Sequence, residues 1–201
     1  TKFKADALFV EWEKIQSNNP YLKTNTQANW IAKGPINTPI ILSNGKKRGN
    51  GRVNCIAFDP NDEDIIWIGS PGGGLWKSVD GGSNWTTGTD NLPVIGVSSI
   101  AIDPTNTQNM LIVTGDANAS DTYSIGILKS TDGGNTWNPA TGVTAIPDQL
   151  TYAGGDTYFM ASNGGTIQKS TDNGATWTTV HSGSSVLAGI EFYDMNTGFA
   201  V

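Results

Sequence analysis

The sequence predicts an all-β fold assembled from repeated four-stranded antiparallel sheets, and three observations predict it. First, the pattern Lys-Ser-x-Asp-x-Gly-x-x-Trp recurs within residues 75–85, 128–137 and 167–177. Its aspartates, Asp80, Asp132 and Asp172, lie 52 and 40 residues apart. A four-stranded unit with its turns needs about 40–50 residues. Second, the segments upstream repeat as well: NCIAFDPNDEDIIWIGS (54–70) parallels SSIAIDPTNTQNMLIVTG (98–115). A weaker copy, LTYAGGDTYFMAS, occupies 150–162, and a fourth begins at 187–201. Third, the 25 glycines, with Asn, Thr and Asp, punctuate short runs rich in Ile, Val, Thr, Tyr and Trp, the profile of strands bounded by turns.

Each unit reads as strand, turn, strand, loop, strand, aspartate turn, strand. In the first, strands are expected near 52–58, 64–69, 74–78 and 84–87. In the second they fall near 97–102, 109–114, 125–130 and 136–138, and in the third near 148–153, 156–161, 165–170 and 176–180. Asp59-Pro60 and Asp103-Pro104 start the first turn of their units, because proline presets φ and aspartate bonds the turn backbone. Such units are the blades of a β-propeller, which has about four to eight of them. Residues 27–201 therefore read as a partial propeller, with blades near 50–90, 96–139, 146–180 and an incomplete one at 185–201, the remaining blades belonging to a longer protein.

Residues 1–26 form a different segment. Within 3–16, Ala5, Leu8, Phe9, Trp12 and Ile15 make a helical stripe, which predicts a short N-terminal helix. Residues 28–35, with Trp30, read as a lone strand that completes the last blade and closes the ring.

The aspartate pattern has a simple physical account. A short carboxylate accepts backbone N–H groups within its turn. Serine (Ser78, Ser130, Ser170) supplies a further local bond, and glycine (Gly82, Gly134, Gly174) permits positive φ. Tryptophan (Trp85, Trp137, Trp177) folds back as an apolar anchor. Residues present in every copy belong to the scaffold; function is expected where the copies differ.

These motifs resemble the bacterial neuraminidase repeat, or Asp-box, found in sialidases, sortilin-type propellers, xyloglucan-specific glycoside hydrolases and a photosystem assembly factor. The resemblance covers about residues 50–201 and implies a propeller fold shared by enzymes and non-enzymes. The phrase GRVNCIAFDP…GSPGGGLWKSVDGG also resembles large secreted propellers of Bacteroidetes, many exported by the type IX secretion system. It implies a secreted or cell-surface protein of bacterial origin.

The enzyme chemistries of that group find little support in the residues. Sialidases clamp a carboxylate with three arginines, and this chain has only Arg48 and Arg52. Where the xyloglucan hydrolases place an acid before Gly-Gly, this chain has Pro71 before Gly72, Gly73 and Gly74, and proline transfers no proton. With His181 as the sole histidine, a His-based metal cluster or Ser-His-Asp triad is excluded. Asp59, Asp62, Glu63 and Asp64 offer the oxygen ligands of a calcium turn, but lack the order of an EF-hand and read as a solvated acidic turn. No cofactor is expected. A net charge of −6 argues against nucleic acid as partner, and the basic run Lys46, Lys47, Arg48 and Arg52 reads as a solvated loop. No apolar stretch approaches the ~20 residues of a membrane helix. Cys55, the only cysteine, reads as a buried free thiol.

Binding is expected in the loops opposite the aspartate turns, where the second unit inserts GDANASDTYS (115–124). Asp116, Asn118, Asp121 and Tyr123 offer carboxylates, an amide and an aromatic face, suited to sugar or peptide. Asp90 and Asn91 in the inter-blade loop are a second candidate. The expected function is a non-catalytic binding or structural propeller that recognises glycans, proteins or neighbouring copies. The alternative is a glycoside hydrolase whose acids lie partly beyond Val201.

Overall fold

The computed structural model describes residues 51–117, 122–187 and 189–201. The N-terminal helix, the 28–35 strand with Trp30, and Lys46, Lys47 and Arg48 lie outside the described residues, as do Asn118 and Asp121.

Fourteen strands and no helix make up the described chain. Sheet 1 contains β1 (Cys55–Asp59), β2 (Asp62–Ser70), β3 (Gly74–Ser78) and β4 (Thr86–Thr87). Sheet 2 contains β5 (Val97–Ile102), β6 (Met110–Thr114), β7 (Ile127–Ser130) and β8 (Asn138–Pro139). Sheet 3 contains β9 (Pro147–Gly154), β10 (Thr157–Ser162), β11 (Thr166–Ser170) and β12 (Thr178–Ser182). A fourth sheet has β13 (Ile190–Phe192) and β14 (Gly198–Ala200). Every sheet is an antiparallel meander in chain order, as short connections dictate. The first strands of successive sheets pack side by side, β1 on β5, β5 on β9 and β9 on β13. The chain is thus an arc of a β-propeller. The outermost strands β4 and β8 are two residues long, shorter than expected, whereas β12 of sheet 3 has five.

Position in the arc explains the burial pattern. β6 and β10 are buried at every residue, being second strands with a sheet on either side. Such strands read as unbroken apolar runs. β1 instead alternates, with Ile56 and Phe58 exposed.

The sheets join through two apolar layers. Trp67, Leu75 and Val97 meet Met110, Ile112 and Leu128, with Trp137 at the margin. Leu111, Val113 and Ile127 meet Leu150, Tyr158, Met160 and Trp177. The polar Gln168 is fully buried in this region. Its amide donates to Gly142 O at 2.9 Å and its oxygen accepts Thr144 N–H at 3.0 Å, so both ends are satisfied and the linker after sheet 2 is tied to sheet 3. Thr141 continues that tie, donating to Ala175 O and accepting Trp177 N–H.

Candidate functional site

The three aspartate turns are built alike, each within its own hairpin. Ser78, Ser130 and Ser170 donate to the Oδ1 atoms of Asp80, Asp132 and Asp172 at 2.8–2.9 Å, and each Oγ accepts the N–H of Gly82, Gly134 or Gly174. The same Oδ1 atoms accept the N–H of Asn84, Thr136 and Thr176 at 2.8 Å. The indole N–H of Trp85, Trp137 and Trp177 donates to the carbonyl of its own turn glycine at 3.0–3.1 Å. These bonds favour the ionised carboxylate. The Thr136 hydroxyl and N–H hold Asp132 down at about 2, and the Asn84 amide lowers Asp80. At Asp172 burial opposes ionisation, and the bonds from Thr176 and Ser170 outweigh it. The glycines adopt φ of +86°, +84° and +78°, which a Cβ would strain. Each turn also bonds the first turn of its own sheet, through Gly81 to Asp64, Gly133 to Gln108 and Asn173 to Asp156. Both turn types therefore occupy one face. Both carboxylate oxygens of each aspartate are engaged within its own turn.

The Asp-Pro turns behave similarly. Asp103 accepts the N–H and hydroxyl of Thr105 and the N–H of Asn106. Asp59 accepts Asn61 N–H and Asp62 accepts Asp64 N–H. No group of three or more His, Cys, Asp or Glu suited to a metal ion occurs among the described residues.

The opposite face holds a cleft of about 680 Å³ between sheets 2 and 3. Thr114, Asp116, Thr122, Ser124, Asp148, Ser162, Asn163 and Thr166 are among the residues that line it, and Tyr123 and Ile146 form its margin. Tyr123 is 90% exposed and Ile146 74%. Thr114 shapes the loop, its hydroxyl donating to Gly126 O and accepting Ile125 N–H, both at 2.9 Å. Gly115 N–H donates to Gly96 O at 2.9 Å and ties the loop to the preceding linker.

Asp116 has no exposed side-chain surface and pairs with Arg52. Asn54 Nδ2 donates to its second oxygen at 3.2 Å. Arg52 and Asn54 precede or open the first sheet, so this carboxylate clamps sheet 2 to sheet 1. Asp148, at the start of β9, lines the cleft and also a second cavity of about 270 Å³ shared with Asn54, Ser98 and Gln149. Burial pushes its carboxyl above the ordinary value, against a bond from the Asn163 backbone. Thr122 Oγ1 is buried and has no hydrogen-bond partner among the described residues.

Of the expected site residues, Asp116 and Tyr123 do line one cleft. Asp90 and Asn91 do not line it; both are exposed, and Asp90 accepts the Thr87 hydroxyl at 2.7 Å. Sequence reasoning passed over Asp148, Arg52 and Asn54 as site residues. Asp148 carried a readable signal, an acid after proline at a strand start on the face opposite the aspartate turns, and the Asp116–Arg52 pairing spans 64 residues with no local pattern.

No family model matches the chain. It is 28% identical over 152 residues to a xyloglucanase of Paenibacillus sp, covering 67% of this chain and 15% of that protein. It is 29% identical over 121 residues to a xyloglucanase of Acetivibrio thermocellus, covering 49% of this chain and 14% of the relative. The chain thus spans about a seventh of the length of these relatives. Among solved structures, an ancestral GH74 enzyme superposes with a TM-score of 0.58 at 21% identity, covering 69% of this chain and 20% of that one. The GH74 enzyme of Niastella koreensis gives 0.55 at 24% identity, with 67% and 22% covered. YCF48 bound to D1 peptide gives 0.54 at 20% identity, with 70% and 44% covered. At these identities the structural likeness shows the fold: an arc of a β-propeller similar to those of xyloglucanases.

Proposed function

We propose that this arc binds a neutral glycan in the cleft between sheets 2 and 3, as the recognition part of a larger secreted or cell-surface propeller. The observation that carries the reading is the pairing of polar residues on the cleft wall, among them Ser124, Asp148, Asn163 and Thr166, with the exposed Tyr123 and Ile146 margin. Sugar rings offer hydroxyls at their edges and C–H groups on their faces, and such a cleft meets both. Among the described residues no Lys or Arg lines it, which favours a neutral ligand over a phosphorylated or carboxylated one. The likeness to xyloglucanases makes xyloglucan the first ligand to try.

Hydrolysis is the second reading, and Asp148 favours it. A carboxyl raised by burial keeps its proton to higher pH, as a general acid requires. Glycoside cleavage also takes a second carboxyl roughly 5–10 Å away. Asp116 is committed to Arg52 and Asn54, and Pro71 occupies the position where the xyloglucan-hydrolase resemblance implies an acid. The second acid would come from residues outside those described.

Titration calorimetry against xyloglucan oligosaccharides, run beside a reducing-end assay, separates the two. Binding without release supports recognition alone. Release that disappears in Asp148→Asn supports hydrolysis. Absence of both binding and release refutes the proposal.

A further inference from the structure

Sheet 3 departs from sheets 1 and 2 at one buried position. The third strand of each sheet pairs with the second in the same register, Ile68 with Trp76, Ile112 with Leu128 and Met160 with Gln168. Two copies thus carry an indole and a leucine two residues before the turn serine, and the third carries an amide with no exposed surface. A buried amide is costly unless it is bonded. Gln168 bonds one segment through both its ends, donating to the Gly142 carbonyl and accepting the Thr144 N–H. The β11–β12 ladder also shifts register between Ile167 and Gln168, and such shifts re-aim side chains beside sites. Gly142, at φ +75°, lies so close to sheet 3 that a Cβ would run into the Trp177 carbonyl. The segment 140–147 is therefore pinned against sheet 3 before it reaches Ile146 at the cleft margin.

This segment shapes a further cavity, of about 340 Å³. It follows β8, the outermost strand of sheet 2, and Thr144 meets Thr179 of β12, the outermost strand of sheet 3, so the cavity lies on the rim side of the cleft. Ser124, Ala145, Ile146 and Pro147 line both, which makes the two continuous. Ile125, Val143 and Thr144 line the rim cavity and not the cleft. Among the described residues none that lines it is charged. Apolar walls beside hydroxyl-bearing residues suit a neutral sugar ring. Sheets 2 and 3 each have a sheet on either side, so the cavity lies inside the arc and at neither of its ends.

We propose that the rim cavity is a second sugar subsite, pre-formed by Gln168, and that the glycan lies radially on the arc with successive units in the cleft and in this cavity. The inference rests on the glycan reading and makes its ligand an oligosaccharide rather than a single terminal sugar. Gln168 lines neither cavity. It is a positioning residue, holding residues 142–144 in place before the sugar arrives, which lowers the ordering cost of binding.

Calorimetry with xyloglucan oligosaccharides of increasing length tests it, on wild type, Gln168→Leu and Ile125→Asp. Leucine is the residue of sheet 2 at this register, and Ile125 is 42% exposed. Near-ultraviolet circular dichroism checks both folds, and Ile125→Asp carries the test alone if Gln168→Leu fails to fold. Wild-type affinity should rise at least tenfold from the shortest ligand to the longer ones. Both variants should lose that rise and keep the affinity for the shortest. A Gln168→Leu protein that melts lower but keeps the rise overturns the positioning role. Wild-type affinity independent of length overturns the subsite and leaves the glycan reading standing, and a rise that survives Ile125→Asp overturns the subsite as well. Absence of wild-type binding at every length overturns both.

Discussion

Gly134 stands against the indole of Trp67, so close that a Cβ would fall 2.7 Å from Cη2 and 3.1 Å from Cζ3. The turn glycine of sheet 2 is therefore required twice, by its φ of +84° and by the ring packed on it.

Alanine substitution separates the two requirements. All three glycines share the left-handed backbone, which costs an alanine about 1–2 kcal/mol. Gly134→Ala and Gly174→Ala add a clash with Trp67 and Leu111, worth a further ~1–3 kcal/mol of overpacking. Among the described residues, Gly82→Ala meets nothing closer than 3.5 Å. Denaturant melts should rank Gly82→Ala as the mildest of the three; equal losses would remove the inter-sheet contact from the account.

The carboxylates predict opposite pH effects. Asp132 is held at about 2 by Thr136 and Ser130, below the unfolded value of about 3.9. Its contribution is present above the unfolded value and is lost as pH falls through the folded one. Asp148 is shifted upward by burial. Its contribution is present below about pH 3.9 and is lost as pH rises through its folded value. Asp132→Asn should thus lower Tm at pH 7 and converge with wild type in strong acid. Asp148→Asn should raise Tm at pH 7 and leave it unchanged near pH 3. A reversed sign for either variant, read by differential scanning calorimetry, contradicts the assignment.

Tyr158 is fully buried, in edge contact with Tyr152 at 5.2 Å, and its hydroxyl has no hydrogen-bond partner among the described residues. Removing an unsatisfied buried hydroxyl while keeping the ring recovers about 1 kcal/mol or more. Tyr158→Phe should therefore raise Tm by a few degrees, and a drop would reveal a partner for the oxygen.

Local chemistry was legible in the sequence; long-range chemistry was not. The Ser-x-Asp-x-Gly spacing around Asp80, Asp132 and Asp172 announced its turns, because the bonds of its Ser and Asp side chains close within four residues. The meander order followed from the repeats. The site was read only in part. Asp116 and Tyr123 stood out in the one long loop, but the clamp from Arg52 crosses 64 residues. Asp148 sits at the start of β9, whose place beside the cleft only the packed sheets define. Asp90 looked like a ligand because its loop was polar, yet its carboxylate serves Thr87 beside it.

The measurement closest to the central claim compares neutral-glycan affinity across the two faces of the arc, by calorimetry on folded Tyr123→Ala and Asp132→Asn proteins. Tyr123→Ala should weaken xyloglucan-oligosaccharide binding at least tenfold at unchanged Tm, while Asp132→Asn lowers Tm and leaves affinity intact. Binding that survives Tyr123→Ala and disappears in folded Asp132→Asn would place the site at the aspartate turns and contradict the account.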